Sequence, residues 1–236
     1  MSVSTSSVVY PKRGKRPQIV PSTFGYASGY TKAKSIPEQV DILWRLFPFL
    51  TRELLNVSTK ERPAHDFAEG WFVVPHWGLF AQTYSDAFLI AFEMLKKVRG
   101  GKVYQYCYGK MGIHNLCRNL GTEEALRGLD RGNEKWWHNI AIIPAQFGMH
   151  YRGVSPNYAK RTFRAREYGL GLFEGIIMLI THPERLNSDE DLWIEFPGDS
   201  YYPCPEGMPI HTPFINIIDG EIGVGTSLTN EPGAHY

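Results

Sequence analysis

Glu174 stands alone inside an otherwise apolar run, LGLFEGIIMLITH, and Glu167 precedes it by seven residues. At 3.6 residues per turn the two acids share a narrow stripe with Gly171, Met178 and Thr181, two turns apart on one helical face. If that stripe borders a cavity, desolvation raises the proton affinity of Glu174 and suits it to acid–base work. The plain alternative is a stripe that faces water. Upstream, IPAQFGMHYRGVS reads as a strand end followed by a glycine turn that carries Gln146, His150, Arg152 and Ser155. Ligands bind at the carboxyl ends of strands in α/β sheets. Gln146, Arg152 and Ser155 are therefore candidate ligand contacts, and His150 is a candidate catalytic partner of Glu174 and Glu167. The alternative is a surface loop whose polar groups satisfy their own backbone.

A second chemistry is electrostatic. Residues 1–37 hold six bases (Lys12, Arg13, Lys15, Arg16, Lys32, Lys34) and no acid, while Glu184–Tyr236 holds ten acids and one base, Arg185. Over residues 38–236 the net charge is −5, against +6 for the arm. The stretch Lys160-Arg161-Thr162-Phe163-Arg164-Ala165-Arg166, with Tyr151, Arg152 and Tyr158 ahead of it, interleaves cations and aromatic rings as phosphate contact and base stacking require. Lys12, Arg13, Lys15, Arg16, Arg161 and Arg164 form the candidate set for a polyanion or an acidic partner. Pairing of the helix cations with acids of the same chain is the internal alternative.

The recognised motifs of cofactor and nucleophile chemistry are missing: no phosphate loop, dinucleotide fingerprint, His-Glu-x-x-His or Gly-x-Ser-x-Gly occurs. No cofactor is expected. His114-x-x-Cys117 with Cys107, and His138 as a fourth, offers ligands of two types for zinc, but Cys107 and Cys117 also read as core positions, and no metal is expected. Three cysteines make no disulfide framework, the first residues lack a secretion signal, and no apolar run spans a bilayer. A cytoplasmic protein without membrane contact is the expectation.

These residues need elements to hold them. A basic, low-complexity arm over 1–34 and one α/β (or α+β) domain over 35–236 are predicted. Ser35-Ile36-Pro37-Glu38 and Thr83-Tyr84-Ser85-Asp86 have capping-box spacing and open helices, the first interrupted at Pro48, the second stopped by Gly100-Gly101. WFVV (71–74), Lys102–Tyr108 and NIAII (139–143) read as strands. Two short helices divided near Gly121 follow the second of these, and a long helix covers Tyr158–Thr181. Asp191–Phe196, Phe214–Ile218 and Glu221–Thr226 are terminal strands, the last two joined by an Asp219-Gly220 hairpin turn. Asp199, in Pro197-Gly198-Asp199, reads as a turn residue. The βαβαβα order predicts crossover units in a partly parallel mixed sheet, with antiparallel strands at the end.

IPAQFG, RGVS, EYGLGLF, MLITHPERL and DLWIEF resemble segments of uncharacterised bacterial hypothetical proteins over roughly the second half of the chain. The resemblance brings no known activity and no site. Two readings follow. In the first, a non-catalytic binding or assembly protein uses its arm to engage nucleic acid or the acidic surface of a second copy. In the second, a small-molecule enzyme places Glu174 or Glu167 in a pocket at strand carboxyl ends.

Overall fold

Ser35 opens the first helix, α1 (Ile36–Leu46), as its spacing predicts: its hydroxyl accepts the Glu38 N–H at 3.4 Å, and Pro37 lies in the first turn. The computed structural model describes residues 19–51, 53–55, 66–106, 115–129, 140–165, 167–202 and 211–232. α1 ends at Phe47, ahead of Pro48. One wholly buried residue fastens it to the first strand, β1 (Gly70–Pro75). Gln39 donates to the carbonyls of Lys34 and Trp71, at 2.7 and 2.8 Å, and accepts the Val73 N–H at 2.9 Å. β1 in turn pairs antiparallel with β4 (Ile140–Ala145), Gly70 opposite Ala145 and Pro75 opposite Ile140. The strand runs on through Pro144, which a two-stranded ribbon tolerates because both its strands are edges.

α2 (Tyr84–Val98) begins at Thr83, which accepts the Asp86 N–H at 3.2 Å, and stops at Gly100 and Gly101, with φ of 64° and 84°. The larger sheet follows the order β2 (Val103–Tyr106), β8 (Glu221–Leu228), β7 (His211–Ile218), β6 (Asp199–Tyr201), β3 (Leu116–Arg118), with β5 (Ile194–Glu195) also paired to β7. Asp219 and Gly220 turn β7 into β8 at φ of 53° and 76°, the positive values a two-residue hairpin demands.

A single mixed α/β domain results, but not by the expected crossovers. β1 and β4 leave for their own ribbon, and β2 and β3 take opposite edges of the other sheet. β2/β8 is the one parallel pair among the described strands. Leu116–Arg118, read from sequence as part of a helix, is strand β3, followed by α3 (Leu120–Leu129). The terminal strand expected over Asp191–Phe196 shrinks to Ile194–Glu195, because Asp191 bridges to Gly25 instead.

The long helix predicted over Tyr158–Thr181 is two helices, α4 (Pro156–Thr162) and α5 (Leu172–Thr181). Tertiary contact breaks it. A Cβ on Gly169 would lie 2.7 Å from the Gly198 nitrogen and 2.8 Å from Pro197, so the chain there must run as bare backbone against the turn before β6. Every residue of α5 is buried, packed against α2, α1 and β1. Gly175 faces the Phe196 ring so closely that a methyl would overlap it. Gly175→Ala is therefore expected to destabilise by about 1–3 kcal/mol through overpacking, despite alanine's better helix propensity. A urea midpoint equal to or above that of the parent would contradict this.

Candidate functional site

The second half of the arm is not free. Ile19 bridges Val154, and the Val20 N–H donates to the Gly153 carbonyl at 2.7 Å. Gly153 has φ of 72°, and a Cβ there would collide with the Val20 carbonyl oxygen, so glycine is required at this contact. Gly25 pairs with Asp191, whose carboxylate also takes the Ser28 N–H at 2.9 Å and the Asn187 and Ser188 N–H groups at 2.8 Å. Tyr26 donates to Glu69 and lies under the Arg185 guanidinium, 3.9 Å from its ring centre. Tyr30 is buried against Phe147 and His182, and the Lys34 side chain pairs with Glu184. Order thus begins upstream of Ser35. Lys12, Arg13, Lys15 and Arg16 lie outside the described residues.

The anchor at Gly153–Val154 falls on the basic segment. Arg152, Arg161 and Arg164 are exposed there. Arg164 stacks on Phe67, with its guanidinium 3.9 Å from the ring centre, and His150 packs on the same ring at 4.5 Å. Phe67 is 42% exposed and holds φ of 64°, a left-handed conformation unusual for a bulky residue. Glu167 belongs to this surface rather than to a helix: its carboxylate accepts from Tyr151 Oη and from the Arg164 N–H, both at 2.7 Å. Burial works against that carboxylate, but these donors hold it below the usual range. Gln146 accepts the His150 N–H at 2.9 Å, and Ser155 caps α4 at the Tyr158 N–H, so both serve the backbone. Arg152 donates to the Phe24 carbonyl at 3.3 Å.

Glu174 lies elsewhere, in a buried cluster at the head of α5. The helix start offers bare N–H groups and the positive end of its dipole. Three side chains meet them. Glu174 accepts the Gly171 N–H at 3.2 Å, Asp199 the Leu172 N–H at 2.7 Å, and Tyr84 Oη the Phe173 N–H at 3.3 Å. Tyr84 also donates to Asp199 at 2.7 Å. Measured from the position a Cβ would take on Gly171, Asp199 Oδ1 is 2.6 Å away and Glu174 Oε2 2.8 Å, so the two carboxylates crowd one point. Arg118 pairs with Glu174 and with a third acid, Glu123: Nη1 is 2.7 Å from Glu174 Oε1, and Nε is 2.8 Å from Glu123 Oε2.

The charges alternate from surface to interior, through side chains of falling exposure: Arg127 at 48%, Glu123 at 12%, Arg118 at 7% and Glu174 at 3%. Burial, helped by Glu174, pushes the Asp199 carboxyl up to about 7 against the opposing pull of Arg118, the Leu172 N–H and Tyr84. Burial and the adjacent Asp199 carboxylate likewise raise the Tyr84 phenol well above its ordinary value. Burial alone would weaken the Arg118 guanidinium, but Glu174 and its other anionic neighbours keep it protonated.

The expected pairing of Glu167 with Glu174 on one helical face is therefore corrected: one sits on the surface, the other at the helix start. Asp199 is corrected too, from turn residue to a wholly buried member of β6. Sequence reasoning found Glu174 because it is a lone acid in an apolar run. It missed Tyr84, Arg118 and Asp199, which meet from α2, β3 and β6. Cys117 is exposed on β3, off any helical face with His114; Cys107, His114 and His138 lie outside the described residues. No helix among the described residues is long and apolar enough to cross a membrane. A mixed α/β domain with a basic outer face and a buried charged cluster is thus defined. No family model, curated protein or solved structure matches this chain.

Proposed function

We propose that the chain is a nucleic-acid-binding protein that grips a phosphate backbone, without reading sequence, between its N-terminal arm and the 152–164 face. One observation carries this reading: the arm is tied to the body at Gly153–Val154, next in the chain to exposed Arg152 and shortly before exposed Arg161 and Arg164. Arg16 precedes Ile19 by three residues and Lys12 by seven, so the arm's bases lead directly into that anchor in the sequence. With those three arginines, the four arm bases would supply a run of cations suited to successive phosphates. Phe67, partly exposed beside Arg164 and His150, adds a stacking surface of the kind single strands use.

The arm's other partner class, the acidic surface of a second copy, is less well supported. The acids that residues 19–34 touch are Glu69, Glu184 and Asp191 of the same chain. Fluorescence anisotropy with a labelled mixed-sequence 20-nucleotide single strand tests the proposal on the full chain. Binding should be measurable at 50 mM salt and weaken linearly on log–log axes as salt rises. The triple variant R152A/R161A/R164A should reduce that slope by about 2 if all three contact phosphates. No binding at low salt, or an unchanged slope, would defeat the proposal. So would a salt-sensitive oligomer formed without oligonucleotide, which would favour the second copy.

A further inference from the structure

Counterion release alone favours a duplex over a single strand, because duplex phosphates are more densely spaced. The basic face nevertheless carries a feature that a duplex cannot use. Rings from three separate segments meet there. Phe67 lies 4.5 Å from His150 between ring centres, His150 lies 4.8 Å from Tyr151, and Tyr151 lies 5.4 Å from Phe163. Phe67 precedes β1, His150 and Tyr151 follow β4, and Phe163 closes α4, so the fold assembles this row and local sequence does not.

Phe67 is an exposed member of the row. At φ of 64° its backbone takes a conformation that bulky residues avoid, and 42% of the residue stays in solvent. Burial therefore repays only part of that strain. The Arg164 guanidinium sits over this ring, its carbon 3.9 Å from the ring centre. Among the described residues no carboxylate lies within ion-pair distance of it. Glu167 instead accepts the Arg164 backbone N–H and the Tyr151 hydroxyl, both at 2.7 Å, which fixes the chain from which the guanidinium reaches Phe67. Arg164 is itself exposed, so the ring shields one side of a planar cation and leaves the rest to solvent. Unpaired bases stack on guanidinium planes and on aromatic rings. In a duplex each base is covered on both faces by its neighbours, so only a strand with splayed bases reaches such a surface.

We infer that the Phe67–Arg164 pair seats an unpaired base, so that this face selects single-stranded over duplex nucleic acid. The inference rests on the phosphate grip proposed above and adds strand selection to it. The base stacks on Arg164 beside His150, and Arg152 and Arg161 remain for phosphates. Recognition is by planarity, so any base serves.

Fluorescence anisotropy on the full chain at 50 mM salt tests this with three labelled 20-nucleotide probes: a mixed-sequence single strand, the same strand annealed to its complement, and a strand of abasic sites. The single strand should bind about tenfold tighter than either of the others, although charge density alone would favour the duplex. Phe67→Leu removes the ring without changing charge, and Arg164→Lys keeps the charge without the plane. Each should lower the ratio of single-strand to duplex affinity about five- to tenfold, with little change in the salt slope. A duplex or abasic strand bound as tightly as the single strand, or a ratio that either substitution leaves unmoved, would overturn the inference. Salt-dependent binding in those cases leaves the phosphate grip standing. Binding of none of the three probes removes both.

Discussion

Arg118→Ala is expected to destabilise the protein by about 3–5 kcal/mol at pH 7, because it strands two acids that lost their water on folding. Glu174 keeps its bond to the Gly171 N–H but loses the guanidinium at 2.7 Å, and Glu123 loses its contact at 2.8 Å. Asp199 would feel Glu174 without the opposing Arg118 charge, so its carboxyl should take up a proton more readily still. The effect should be non-additive. Adding Glu123→Gln and Glu174→Gln to Arg118→Met removes both acids that Arg118 pairs with and should recover most of the loss. Urea denaturation of the three proteins checks this. A loss below about 1 kcal/mol for Arg118→Ala would mean that the cluster is effectively solvated, as exposed ion pairs are.

The parts of the fold legible in the sequence are those built from near neighbours. Ser35 and Thr83 cap helices three residues away, and Asp219-Gly220 closes a hairpin between the strands it joins, so each signal and its structure occupy the same few residues. α5 and β6 were not legible because their limits are set from afar. Gly169 and Gly171 look like ordinary helix interruptions until Pro197, Gly198 and Asp199 press against them. Asp199 finds Tyr84 at a separation of 115 residues and the Leu172 N–H at 27, which no local pattern encodes. The arm carried a usable sign that composition hid. Tyr26 and Tyr30 are aromatic anchors in a Ser/Gly-rich stretch, and both pack on the body with Arg185 and Phe147. Charge layout pointed to the basic face. It said nothing of the buried cluster, where opposite charges come from separate elements and cancel in any running count.

Glu195→Gln is expected to stabilise the protein increasingly as pH rises from about 4 to about 8, with the gain levelling off above that. Glu195 lies on β5, where the residue keeps some solvent contact while its carboxylate is enclosed, with Oε1 accepting the Ser227 hydroxyl at 2.9 Å. Burial pushes this carboxyl up to about 8 against the lowering effect of Ser227. Its value in the unfolded chain is about 4.3. The folded state therefore holds a proton that the unfolded state has released, and the stability this confers is complete below about pH 4 and lost as pH rises through 8. Asp199, pushed up to about 7, contributes with the same sign over a slightly lower window. His182 acts oppositely: burial lowers it to about 4, so its contribution is present above about 6.5 and lost as pH falls toward 4. Comparison of variants isolates each group from this background. Glutamine keeps an acceptor for Ser227 and removes the charge, so the difference from the parent should be near zero at pH 4 and on the order of a few kcal/mol at pH 8.5. Denaturant midpoints at pH 4, 6.5 and 8.5 provide the measurement. A difference that stays constant across the three would show that Glu195 titrates alike in the folded and unfolded chain, and that its carboxylate reaches water on β5 as freely as it does in the unfolded state.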